Sequence, residues 1–142
     1  MQQISSLVQV EEEHKQGSLI KILCEEYPKA ATFVYEPKCP FNELSAGLAQ
    51  LNIDAATRVV FFTYNGHLFK DQLQAARAIR SKTTNIAVVA LRNPYDLAGC
   101  TDIGSCAATF GFRTPAIKAL LEVFRGKTRP NISSWPVDND TW

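Results

Sequence analysis

The chain has 142 residues, 46% of them apolar and 20% charged, with a formal net charge of +1. This is ordinary usage for a folded domain and excludes disorder, coiled coil and collagen-like repeats. The near-neutral charge gives no field that would gather nucleic-acid phosphate or an anionic membrane surface. A single domain over residues 1–142 is expected, a size that buries roughly two thirds of the surface its unfolded chain would expose.

No apolar stretch approaches the roughly 20 residues needed to span a bilayer. The start, MQQISSLVQVEEEHK, lacks the basic region, apolar segment and cleavage site of an export signal, so a soluble and by default cytoplasmic chain is expected. The cysteines Cys24, Cys39, Cys100 and Cys106 form no C-x-x-C pair, and the histidines are only His14 and His67, so no metal site is predicted. Cys24 and Cys106 read as small buried hydrophobes. Cys100 and Cys106 lie near enough in sequence to meet across the Thr101 to Ser105 loop, but spacing alone does not establish disulfide geometry, and reduced thiols are expected.

In chain order, Ile4 to Val10 reads as a short strand. Glu11, Glu12 and Glu13 then open a helix, where negative charge suits a first turn. That helix carries Leu19, Ile20, Ile22, Leu23 and Cys24, is weakened by Gly17 and stops at Tyr27-Pro28. ATFVYEP is a second strand, rich in β-branched and aromatic residues. Phe41, Leu44, Leu48 and Leu51 recur at helical spacing.

TRVVFFTYN follows as a strand apolar on both sides, the pattern of a parallel strand covered on both faces. A helix from Leu68 to Ser81 turns Leu73, Ala76 and Ile79 inward and leaves Lys70, Asp71, Arg77 and Arg80 to solvent. NIAVVAL is a fourth strand, and CAATF is a fifth made of small residues. The last helix runs from about Pro115 to Arg125, with Thr114 as its cap and Gly126 beyond its last turn. The tail offers an edge strand around Ser133 to Val137. Strands and helices alternate about five times, which predicts a three-layer α/β/α sandwich with a mostly parallel, flavodoxin-like sheet of order 2-1-3-4-5.

Ligands of such sheets bind outside the carboxyl ends of the strands. Here those ends hold Glu11 to His14, Thr63 to His67, and Arg92 to Asp96. The acidic turn after the first strand would repel FMN and nucleotide phosphates, and no cofactor is predicted. A phosphoacceptor receiver needs an aspartate where this chain has Tyr64-Asn65 and a lysine where it has Gly111-Phe112. No Gly-x-Ser-x-Gly elbow exists, and His67, after the turn-forming pair Asn65-Gly66, has no evident acid or nucleophile partner in the sequence. Asp96 and Asp102 are the one carboxyl pair that glycoside hydrolysis would nominate, and both suit turns or caps.

The segment VVALRNPYDL is followed by the small-residue strand ending in an aromatic and then by TPAIKALLEVFRGKTRPNISSWPV. Together these resemble the C-terminal domain of family-three glycoside hydrolases, in particular the β-N-acetylglucosaminidase branch. The resemblance is firmest from about Thr57 to Val137. It implies an α/β sandwich attached to a (β/α)8 barrel, in the same chain or a separate one, that holds the nucleophile and an Asp/His acid/base pair. A barrel takes roughly 250 residues, so no catalytic residue carries over to this chain.

What does carry over is Arg92, Asn93, Pro94, Tyr95 and Asp96, as the place where such a domain faces its barrel or a saccharide containing N-acetylglucosamine. Pro94 stiffens the strand exit, Tyr95 offers an amphipathic ring and Arg92 a planar donor fork. The alternative is a structural turn that anchors the loop. The implied function is an accessory domain, inactive alone and compatible with either a monomer or an oligomer. A stand-alone module gripping a sugar or protein through Tyr64, His67, Arg92 and Tyr95 is the second reading. A flavodoxin-like redox or receiver protein is the third.

Overall fold

Strands that are apolar on both sides must be covered on both faces, and this decides the architecture. The computed structural model describes residues 4–10, 18–111 and 113–129. In it the strands β1 (Ser6–Val10), β2 (Ala31–Tyr35), β3 (Val59–Thr63), β4 (Ile86–Ala90) and β5 (Ser105–Ala108) alternate with α1 (Ser18–Glu26), α2 (Phe41–Ala49), α3 (Asp71–Arg80) and α4 (Thr114–Phe124). Every neighbouring pair is parallel and the order is β2-β1-β3-β4-β5, the arrangement expected from the sequence. Burial follows position: β1 and β3 are buried throughout, while β2 and β5, at the rims, carry exposed residues.

Register places Phe33, Val8, Phe61, Val88 and Cys106 in one row across the sheet. Because residues two apart share a face, Tyr35 joins this side, its ring 6.4 Å from Phe33 and 5.8 Å from Phe61. Helices α2 and α3 pack together over it. A Cβ at Gly47 of α2 would lie 2.2 Å from the Phe33 ring, so glycine permits the close approach of α2 to β2. Asp71 at the start of α3 accepts the Phe41 amide of α2 at 3.0 Å, satisfying a donor that α2 leaves open.

Right-handed crossovers put α1 on the other face, where it packs with α4. Gln9, on the buried strand β1, has no partner for either side-chain amide atom among the described residues, so it costs desolvation without returning a bond.

Several boundaries differ from expectation. Helix α3 begins at Asp71 rather than Leu68, because the Leu68 and Phe69 amides both donate to the Asn65 carbonyl and are used in the turn. Thr114 does not cap α4: it is already helical, Arg113 occupies the cap in extended conformation without a side-chain bond, and Pro115 lies in the first turn. Gly126 follows at φ +73, as expected beyond a helix end.

Strand β5 stops at Ala108, and Phe110 takes a left-handed φ of +54 outside it. Cys106 is exposed rather than buried, since β5 is an edge strand, and Cys24 is half-buried. The helix start at 11–13, Gly17 and the tail strand at 133–137 lie outside the described residues.

Candidate functional site

The carboxyl ends of β3 and β4 bring the sequence candidates together, because these strands are adjacent and in register from Val59 to Thr63. After β3 the chain turns at Asn65, whose φ of +53 fits an Asn-Gly turn. It passes so near β4's loop that a Cβ on Gly66 would sit 3.4 Å from the Asp96 carboxyl group. After β4, Asn93 is extended and its side-chain oxygen accepts the Tyr95 amide at 3.0 Å, capping a 3-10 helix from Pro94 to Gly99. The turn expected at Asn-Pro-Tyr-Asp is thus one end of a short helix, with Pro94 in its first turn and Asn93 as its cap.

Asp96 is fully buried. One carboxylate oxygen accepts the Thr63 hydroxyl at 2.8 Å; the other accepts the His67 amide at 3.0 Å and meets His67 Nδ1 at 2.7 Å. His67 therefore does have an acid partner, contrary to the sequence expectation. With a carboxylate as acceptor, Nδ1 carries the proton and Nε2 is left on the side away from Asp96, on a ring that is 29% exposed. The Tyr95 ring lies 6.1 Å from the His67 ring.

Tyr64, expected as a surface contact, is buried and presents its hydroxyl to Arg92 Nη1 at 2.9 Å, with the guanidinium 5.6 Å from the ring centroid. Behind it, Gln72 of α3 clamps the strand end. Its Oε1 accepts the Tyr64 amide at 3.0 Å, and its Nε2 donates to the carbonyls of Tyr64 and Pro37, both at 2.9 Å. Tyr35 completes this support by donating to the Phe62 carbonyl at 2.6 Å; burial pushes its phenol well above the usual range.

Thr63 was expected only as the first residue of a strand-end segment, and Gln72 was not a sequence candidate. Gln72 had a signal available, since it stands one and two turns before Ala76 and Ile79 on the inward stripe of α3.

Asp96 and Asp102 do not form a carboxyl pair. Asp102 is exposed and bound by Arg77 Nε at 3.2 Å, and the hydrogen bond from Arg77 holds it below the ordinary carboxylate range. The Thr63 hydroxyl is bound to Asp96 rather than to His67, so it does not form a nucleophile–histidine pair with it. Among the described residues no group of His, Cys, Asp and Glu could hold a metal ion, and no helix is long and apolar enough to cross a membrane.

An open cleft of about 550 Å³ lies at the opposite, amino ends of β3, β4 and β5, lined in part by Arg58, Arg80, Asn85 and Ser105, away from this cluster. At the carboxyl ends three large apolar or aromatic side chains reach solvent. Leu68 after β3, Tyr95 after β4 and Phe110 after β5 are 65%, 44% and 56% exposed.

A parallel α/β sandwich with its polar cluster at the carboxyl strand ends is the class these features define. No protein-family model and no curated protein matches the chain. Among solved structures it is similar to a fungal multi-domain protein described as a GH3 β-N-acetylglucosaminidase with a GCN5-related glucosamine N-acetyltransferase region. The TM-score is 0.65 at 17% identity, over 89% of this chain and 15% of that one. It is also similar to a glycoside hydrolase family 3 β-N-acetylglucosaminidase from Paenibacillus sp. str. FPU-7, with a TM-score of 0.70 at 17% identity, over 91% of this chain and 26% of the other. The shared property is the fold, and this chain spans about a quarter or less of the length of either protein.

Proposed function

We propose that the chain is an accessory sandwich domain that docks, through the carboxyl edge of its sheet, against a (β/α)8 glycosidase barrel carried in the same chain or a separate one. In this reading His67, Arg92, Asn93 and Tyr95 form the face turned toward the barrel's saccharide cleft, with the buried Tyr64 and Asp96 holding Arg92 and His67 in place behind it, and a saccharide containing N-acetylglucosamine is the ligand. The observation that carries it is the exposure of Leu68, Tyr95 and Phe110 on three successive strand-end loops around His67. Each is already partly covered, so its further burial is worth about half of the roughly 1.5–3 kcal/mol of a fully exposed side chain; the three contribute to an interface that must extend beyond them to meet an association cost of about 4–15 kcal/mol. The similarity in fold to regions of two family-three β-N-acetylglucosaminidases supports the choice of partner.

The chain alone lacks the length of a barrel, so it is inactive by itself in this reading. Purified chain is expected to leave aryl N-acetylglucosaminides unhydrolysed above a buffer blank. Enzyme-dependent turnover lost in Asp96→Ala would overturn the reading. The neighbouring coding sequence gives a second test: an in-frame or adjacent barrel is expected.

The position of Tyr95 beside the His67 ring favours one alternative, a stand-alone sugar-binding module. Titration with N-acetylglucosamine oligosaccharides, followed by backbone amide shifts, separates the two. Movement confined to residues 64–67 and 92–96 without any barrel present supports the module.

A further inference from the structure

Cys100 and Cys106 differ sharply in setting. Cys106 stands exposed on the edge strand β5, whereas Cys100, directly after the 3-10 helix, is fully buried. A tight loop joins them, with the Ile103 amide donating to the Cys100 carbonyl at 2.9 Å. Gly104 then runs so close to β4 that a Cβ there would lie 2.4 Å from the Ile86 carbonyl oxygen. This path returns Cys106 over Cys100: its sulfur lies 3.5 Å from the carbonyl oxygens of both Cys100 and Gly104. The Cys100 sulfur donates its one S–H to the Asp96 carbonyl at 3.1 Å.

We infer that Cys100 and Cys106 are a reactive thiol pair that closes to an intramolecular disulfide by exchange with small-molecule disulfides such as oxidised glutathione. Cys106 is the nucleophile because solvent reaches it and its sulfur lies beside Cys100, whose side chain holds the Cys106 thiol below the ordinary range. Its thiolate attacks one sulfur of glutathione disulfide, forms a mixed disulfide and releases one glutathione thiolate. Cys100, whose thiol is held up by the Cys106 side chain and then by burial, loses the first of these restraints once Cys106 is in the mixed disulfide.

Cys100 then gives its proton to solvent and attacks the Cys106 sulfur, expelling the second glutathione as thiolate. Two protein thiols are oxidised and one glutathione disulfide is reduced to two thiols. Closure also takes the S–H of Cys100 away from the Asp96 carbonyl, so the oxidation state of the pair is felt by the helix that carries Asp96.

The test is treatment of the native chain with oxidised glutathione, followed by intact mass and peptide mapping. The expected product has lost the mass of two hydrogens and carries a Cys100–Cys106 cross-link. Cys100→Ser is expected to stop at a glutathione adduct on Cys106, and Cys106→Ser to leave Cys100 unmodified. Timed alkylation of the unsubstituted protein with iodoacetamide needs no variant and is expected to label Cys106 before Cys24 and Cys39. A stable glutathione adduct on Cys106 of the native chain, or faster reaction at Cys24 or Cys39, would overturn the inference.

Discussion

Asp96 holds the strand-end cluster together, since it alone joins the β3 turn to the 3-10 helix through a buried carboxylate. Asp96→Asn keeps the shape, and its N–H₂ can be met by the Thr63 hydroxyl as acceptor, but the charged acceptor of the His67 N–H groups is lost. A loss of about 1–3 kcal/mol in urea unfolding is expected. Thr63→Val leaves one oxygen of the buried carboxylate without its hydroxyl donor and is expected to cost a similar amount, about 1–3 kcal/mol. If neither change lowers stability, the carboxylate is not the organising group.

The sequence placed His67 and Asp96 at the same sheet edge but left His67 without an acid partner. The reason is physical: the two lie 29 positions apart, and only the parallel pairing of β3 with β4 and the Gly66 approach bring them to 2.7 Å. Tyr64 misled in the other direction, because a tyrosine after a strand reads as a contact residue until Arg92 is seen to claim its hydroxyl.

The elements were far more legible than the site. Continuous apolarity in VVFFT marks a central strand whatever its neighbours are, and β3 is buried at every residue. Element ends depended on hydrogen bonds that spacing does not encode, such as the Asn65 carbonyl that takes Leu68 and Phe69 out of α3. Gly104 is another position whose role is visible only in space. Gly104→Ala would drive a methyl group into the Ile86 carbonyl oxygen, a backbone atom that cannot swing aside, so β5 must shift from β4. The expected cost is about 1–3 kcal/mol. Faster amide exchange confined to β5 and the start of β4 would locate it there; uniform acceleration across the sheet would argue for a different origin.

Over the whole molecule, the two helices of one layer are tied by Arg125, which reaches Glu26 at 2.8 Å and Glu122 at 2.7 Å. The hydrogen bond from Arg125 holds the Glu26 carboxyl below its ordinary value of 4.5. A depressed folded pKa contributes stability that is fully present above the unfolded value and is lost as pH falls through the folded one. Thermal unfolding midpoints are therefore expected to hold steady from neutral pH to about 5 and to drop below it. Asp54 and Asp102, also depressed by their hydrogen bonds, add to the same acid limb. Arg125→Met is expected to lower the neutral-pH midpoint and flatten that limb. An unchanged slope would show that Glu26 is not a principal source of the acid sensitivity.

The order β2-β1-β3 makes the first of the described strands in chain order an interior one. As the polypeptide leaves the ribosome, Leu7, Val8 and Val10, each wholly covered in the finished protein, wait without both neighbours until Thr63 has emerged. Chaperone capture of stalled nascent chains should accordingly be strongest before that point and fall once β3 can dock.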